Sequence, residues 1–258
     1  MNRAVVSSYT SRTTAFASAT GITDTTILGA LNTFDLGLIS NSLDTKMNAV
    51  YPFVGTTATT QKYNFMDARD LDEAFRLTFY GGGTFSSNGY QPNGTNAYAE
   101  TYNLNVTNDS SIWYYSRTNN TTTSVEMGVW NETYSDTALF AYYGGNSGGY
   151  IKALSNGYSG VSWTATTSQG FFGTNRTSSI LNNSWHNGVK KGTNTNTSSS
   201  SPTVRTLWIG CYHAGQGVES PSNKESAFSA ISKGLTDGEA SIFYNLVQTM
   251  QTTLGRQV

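Results

Sequence analysis

Trp185-His186-Asn187-Gly188-Val189-Lys190 reads as a strand, a two-residue turn and a returning strand. Asn-Gly is the strongest short hairpin signal, because a type I′ turn needs positive φ at both central residues. Downstream, a Ser/Thr/Asn-rich loop over 191–203 leads into the apolar strand Val204-Arg205-Thr206-Leu207-Trp208-Ile209-Gly210. A further strand, Ala227-Phe228-Ser229-Ala230-Ile231-Ser232, precedes Leu235-Thr236-Asp237-Gly238-Glu239 and a helix to about Leu254. Upstream, short apolar runs separated by Gly, Asn and Ser predict strands at 74–80, 96–102, 110–117, 124–130, 137–143, 149–154, 160–165, 168–173 and 179–186. Regular short strands with turn signals between them predict a mainly β sandwich. Ile112 to Tyr115 lacks clean alternation, so both faces of that strand are expected to be covered.

The closing order resembles concanavalin A-like (laminin G-type) jelly rolls. There, a strand ends in an Asn-Gly hairpin, a later strand carries Ile-Gly, and the finish has a Leu-Ser-x-x-Glu pattern. Here these are Asn187-Gly188, Ile209-Gly210 and Leu235-Thr236 with Glu239. The run from Ile231 to Ala240 and the terminus Thr252-Thr253-Leu254-Gly255-Arg256-Gln257-Val258 resemble structural proteins of tailed bacteriophages. So do the stretch from Lys46 to Gly55, the stretch from Asp67 to Phe79, and the stretch from Pro92 to Ala99. The resemblance implies a virion protein made in a bacterial cytoplasm. It implies an outward-facing appendage, either a head fibre or decoration or a tail-fibre or baseplate component. Its partners would be other virion proteins and host surface glycans, and such appendages resemble homotrimers. A standalone carbohydrate-binding module and a polysaccharide-degrading glycosidase are the alternatives.

Composition fits this reading. Only 12% of the 258 residues are charged, while the chain holds 26 Gly, 16 Tyr, 12 Phe and 5 Trp, so hydroxyls, amides and rings must build much of its surface. Such a surface suits tight assembly or contact with sugar. It does not suit nucleic acid, which needs clustered Lys and Arg. One cysteine, Cys211, excludes an intrachain disulfide. No stretch approaches the roughly 20 apolar residues that span a bilayer, and the segment before Ser7 lacks the apolar core of a signal peptide. No membrane association is expected.

Three regions are expected: a helical N-terminal segment over 1–60, a jelly roll over 61–235 and a C-terminal helix packed on it over 236–258. Ile27, Leu28, Leu31, Phe34 and Leu38 recur at helical spacing after a cap at Thr23 or Asp24. Leu43, Met47, Val50 and Tyr51 predict a second short helix ended by Pro52. This segment either packs on the sandwich or serves as an attachment arm for another virion protein. Thr236 with Glu239 forms a capping box for the last helix, whose apolar face is Ile242, Phe243, Leu246, Val247 and Met250.

Catalysis is not expected. Glycoside hydrolysis needs two carboxylates flanking one bond, and no Glu-x-Asp-x-x-Glu triplet occurs. Asp67, Asp70, Asp72 and Glu73 lie among Arg69 and Arg76 and read as a salt-bridged turn. Glu126 and Glu132 have no motif partner, and His186 and His213 belong to no catalytic motif and read as surface or loop residues. No cofactor and no metal is expected. Sugar binding needs exposed rings beside hydrogen-bonding groups, and Tyr90, Trp130, Tyr134 and Tyr158 lie in or beside turn-rich segments. Each of these rings is a candidate platform; packing in the core or at a subunit interface is the other reading.

Overall fold

The structure, a computed structural model, describes residues 9–102, 106–131, 135–153, 160–195, 205–215 and 217–258. The chain opens with helix α1 (Ser11–Thr20), whose first turn is capped by the Thr10 hydroxyl. Helix α2 (Thr25–Ser40) follows, with the Asp24 carboxylate accepting from the amides of Thr26 and Ile27. Strand β1 (Met47–Tyr51), the one-turn helix α3 (Ala58–Gln61), β2 (Thr78–Tyr80), β3 (Thr84–Ser86), β4 (Gly89–Gln91) and β5 (Tyr98–Glu100) come next. Longer strands build the centre: β6 (Ser110–Ser116), β7 (Met127–Asn131), β8 (Ser135–Tyr143), β9 (Asn146–Ala153), β10 (Val161–Thr164), β11 (Gly170–Ser178), β12 (Leu181–His186) and β13 (Val189–Asn194). The chain closes with β14 (Trp208–Ile209), β15 (Tyr212–Ala214), β16 (Gly217–Glu219), β17 (Ser226–Ser232) and helix α4 (Asp237–Thr253).

Two sheets face each other. The first runs β13-β12-β11-β6-β17-β4-β3, with β1 also on β17. The second runs β10-β9-β8-β7-β14-β5-β2, with β15 and β16 beside β7. Pairing is antiparallel except between β15 and β7. The protein is a β-sandwich with helices added at both ends of the chain.

The decisive hairpin forms as read. Asn187 and Gly188 take φ of +48° and +73°, and His186 pairs with Val189 across the turn. The turn is held to β11: the Asn187 amide donates to the Phe171 carbonyl at 2.8 Å, and the Phe171 amide donates to Asn187 Oδ1 at 2.7 Å.

Two apolar layers hold the fold. Between the sheets lie Ile112, Tyr114, Phe172 and Ile231 from the first sheet and Met127, Val129, Leu139 and Ile209 from the second. On the far side of the first sheet, Trp113, Tyr115, Phe171 and Phe228 meet Phe16, Phe34 and Leu38 of the first two helices and Phe243 and Val247 of α4. Every residue of β6 and of β17 is therefore buried. This explains the missing alternation in Ile112 to Tyr115. Helices α2 and α4 touch at Gly37, where a Cβ would sit 2.3 Å from Leu246 Cδ2 and would push that methyl aside. The capping box of Thr236 and Glu239 is present, and Glu239 also pairs with Lys46 at 2.7 Å.

The expected second helix is a strand. Met47 to Tyr51 pairs with Ser229 to Ser232 of β17. An irregularity between Met47 and Ala49 breaks the alternation, so Met47 and Val50 reach the helix-side layer while Ala49 and Tyr51 reach the inner one. Apolar residues three apart on one face imitate a helix. Because β1 belongs to the sandwich, residue 60 is no boundary between helical segment and jelly roll. Helix α1 carries no apolar stripe in its sequence, because Phe16 is its one large buried apolar side chain.

Candidate functional site

Among the described residues the long helices all pack on the first sheet, and none covers the outer face of the second. Strand parity says what that face carries. Phe79, Ala99, Ile209, Met127 and Val129 point into the inner layer. Their neighbours Thr78, Tyr80, Tyr98, Glu100, Trp208 and Trp130 therefore point outward. Register brings them together from distant parts of the chain: Tyr80 lies opposite Tyr98, Thr78 opposite Glu100, and Trp208 opposite Glu100 on one side and Gly128 on the other.

The rings form a ladder across four strands. Tyr80 stacks on Tyr98 at 4.9 Å between centroids, Tyr98 on Trp208 at 3.8 Å, and Trp208 on His213 at 3.7 Å and 4° between planes. The Tyr80–Tyr98 pair, at an offset-stacking separation, adds about 0.5–1.5 kcal/mol beyond its area. Trp208, sandwiched in the middle, is 7% exposed, whereas Tyr80 at the sheet edge is 41% exposed. Because β2 is the terminal strand, one face of the Tyr80 ring is stacked and the other looks off the edge.

Polar groups converge beside the ladder. Thr206 Oγ1 donates to Glu100 Oε1 at 2.9 Å, and the hydroxyls of Thr78 and Tyr102 lie 3.0 Å apart. Partial burial, together with the neighbouring Tyr102 hydroxyl and the Glu100 charge, pushes the Tyr80 phenol up to about 12. Burial and Glu100 raise Tyr98 likewise. Both phenols therefore stay protonated at neutral pH and can donate. Glu100 makes no ion pair among the described residues. His213 Nδ1 lies 2.8 Å from the Thr206 carbonyl, which can only accept, so Nδ1 carries the proton and Nε2 is an acceptor. Burial holds the His213 pKa below its usual value, outweighing that bond and the Glu100 charge.

The sequence-derived candidates fare differently. Tyr90 is a correction: it is fully buried against Phe53, Phe79 and Phe85 and offers no platform to solvent. Trp130 is half-buried on the ladder's face, and its carbonyl accepts from Arg205 at 2.9 Å. Tyr134 and Tyr158 lie outside the described residues, as does Glu132. Glu126 is fully buried and spent on Lys224 at 3.2 Å and on the hydroxyls of Ser124 and Ser222. The Asp67-to-Glu73 turn is salt-bridged as read, through Arg69, Lys62 and Arg76. His186 and His213 are not free surface residues: both are half-buried and stacked, on Phe172 at 4.4 Å and on Trp208. Burial raises the Cys211 thiol well above its usual range and keeps it unreactive.

Tyr80, Tyr98, Glu100, Tyr102, Trp208 and His213 were missed by sequence reasoning. The available signal was the alternation Thr78-x-Tyr80, Tyr98-x-Glu100 and Thr206-x-Trp208, with Phe79, Ala99 and Leu207 between. It shows three half-buried strands and does not show that they are neighbours.

Solved structures share this architecture. The chain superposes on domain 4 of AbnA, a GH43 extracellular arabinanase from Geobacillus stearothermophilus in complex with arabinotriose, with a TM-score of 0.55 at 15% identity, over 79% of this chain and 98% of that one. What they share is the β-sandwich fold. It also superposes on the receptor binding domain of botulinum neurotoxin mosaic serotype C/D, with a TM-score of 0.53 at 11% identity over 78% of this chain. The botulinum neurotoxin serotype D binding domain gives 0.51 at 12% identity over 80%. The chain spans about half the length of these two toxin domains, 51% and 53%. No protein-family model matches the sequence, and no curated protein matches it.

Proposed function

We propose that this protein binds glycans without cleaving them, through the outer face of its second sheet. The observation that carries the reading is the ladder of Tyr80, Tyr98, Trp208 and His213, laid beside Glu100, Tyr102, Thr78 and Thr206 on the outer sheet face that the described helices leave open. Sugars present C–H faces that pack on rings and hydroxyls that exchange hydrogen bonds with phenols and carboxylates. A domain of the same fold in complex with arabinotriose supports the reading as an analogy of architecture.

The non-enzymatic part rests on the carboxylates. Among the described residues, Glu100 is the one carboxylate whose charge acts on Tyr80, Tyr98 and His213. A glycosidase needs a second carboxyl about 5–9.5 Å away. Glu126 is buried beneath the sheet and already neutralised.

The setting we propose is the virion of a tailed bacteriophage, on an outward-facing appendage of the head, tail fibre or baseplate. The resemblance of the stretches at 46–55, 67–79, 92–99, 231–240 and 252–258 to phage structural proteins supports it. A low-charge, ring-rich surface supports assembly into a closed homo-oligomer, with a trimer as first expectation. Many weak sites on one particle then act together. A standalone carbohydrate-binding module uses the same face and differs only in setting. The test is a glycan array of host capsular and lipopolysaccharide sugars with wild type and Tyr80→Ala. Retention by wild type, lost in Tyr80→Ala at unchanged melting temperature, is expected. Release of reducing ends from a retained polysaccharide refutes the non-enzymatic reading, and cryo-electron microscopy of whole particles tests the setting.

A further inference from the structure

The geometry points to a specific ligand class for this face: an uncharged oligosaccharide that seats one sugar ring on the outer face of Tyr80 and brings the vicinal hydroxyls of a following unit to Glu100, one strand inward and two residues along. This rests on the glycan-binding reading above and narrows it.

The ladder is the first reason. Its rings stack face to face across the strands, so the faces of Tyr98 and Trp208 are already covered by their neighbours. Only ring edges line the middle of the ladder. An oligosaccharide cannot lie flat along such a row, because a sugar packs on a ring face and not on an edge. Among the ladder tyrosines, the face still open is that of Tyr80, on the terminal strand. The site therefore takes one stacked sugar at the sheet edge.

Glu100 is the second reason. It is half-buried, sits in the row next to Tyr80 and Tyr98, and accepts one hydroxyl bond from Thr206, with no ion pair among the described residues. A partly desolvated carboxylate demands donors, and two adjacent sugar hydroxyls supply them in bidentate form. The same charge opposes a uronate or sialate carboxylate. Neither nearby arginine pairs with it among the described residues. Arg76 lies over the Tyr102 ring and is paired with Asp72 at 2.8 Å. Arg205 sets its guanidinium on the Trp130 carbonyl, and its charge acts on His213. The Tyr80 and Tyr98 phenols stay protonated and offer donors to ring or glycosidic oxygens.

The experiment is binding of the full chain to two matched sets of immobilised polysaccharides, neutral ones and ones containing uronate or sialate, with Glu100→Gln and Glu100→Asp alongside. Wild type is expected to retain neutral glycans and to ignore the acidic set. Glu100→Gln, which keeps the shape and loses the charge, is expected to weaken neutral binding about tenfold, the effect of one hydrogen bond to a charged group. Glu100→Asp is expected to recover part of that loss. Equal or better retention of acidic glycans, or neutral binding unchanged in Glu100→Gln, overturns this inference and leaves glycan binding standing. Silence of folded wild type on both sets overturns the glycan reading and this inference with it.

Discussion

Gly188→Ala tests the element on which the fold assignment turns. Gly188 holds φ +73°, and a Cβ built there sits 2.5 Å from Cδ1 of Tyr244 on α4. Two costs follow. The left-handed backbone costs an L-residue about 1–2 kcal/mol. The Tyr244 ring must also withdraw by about an ångström to reach ordinary carbon contact near 3.5 Å. That ring packs against Phe171 at 6.2 Å in the layer joining α4 to the first sheet, so its displacement is an overpacking of about 1–3 kcal/mol. The total is about 2–5 kcal/mol, a fall of about 5–15 °C in melting temperature for a chain of this size. Gly82→Ala separates the two costs, because Gly82 has nearly the same φ, +77°, and nothing within 4 Å of its Cβ position. It should lose only the backbone part. Thermal unfolding of both variants, with Tyr244→Ala added to close a double-mutant cycle, is the assay. If Gly188→Ala melts no lower than Gly82→Ala, the packing of α4 over the turn is wrong. If Gly188→Ala melts like wild type, the type I′ hairpin itself is wrong, and with it the closing strands.

Further outcomes follow from other buried groups. Lys224→Met leaves the Glu126 carboxylate buried and uncompensated, a loss of about 3–5 kcal/mol in chemical denaturation, and adding Glu126→Gln should recover much of it. Arg256 is buried and donates to the carbonyls of Phe53, Pro52 and Ala227 and to Gln251 Oε1; Ala227 keeps a donor in Gln251 Nε2, so Arg256→Met strands the other three acceptors and should destabilise by about 3 kcal/mol or more, with wild-type stability refuting the anchoring of the C-terminus. Burial lowers both histidine pKa values below 6.5, so the unfolded chain binds more protons in acid. Their share of stability is complete above pH 6.5 and is lost as pH falls through the folded-state values. Melting curves from pH 7.5 downward should therefore fall less steeply in His186→Phe than in wild type. Sedimentation at micromolar concentration should show a closed oligomer, and a clean monomer with or without virion partners refutes the assembly proposal.

What the sequence determined by itself was local. Asn187-Gly188 dictates a hairpin because few other pairs tolerate two positive φ values in a row. Thr236 with Glu239, and Asp24 ahead of Ile27 and Leu28, dictate helix starts because the orphan amides of a first turn need nearby acceptors. The buried run of β6 signals a doubly covered strand, since both faces carry rings. What required the tertiary structure was every decision made by contacts distant in sequence. Met47 to Tyr51 has a helical apolar spacing and becomes a strand because β17, nearly two hundred residues later, offers open backbone partners that outweigh a weak local preference. Tyr90 looks like a loop ring and is buried because β4 crosses onto β17. The candidate site is the clearest case. Tyr80, Tyr98, Trp208 and His213 are each ordinary in their own strands. They become one surface because β14 enters between β5 and β7, and strand order, unlike strand identity, is written in no local stretch of the chain.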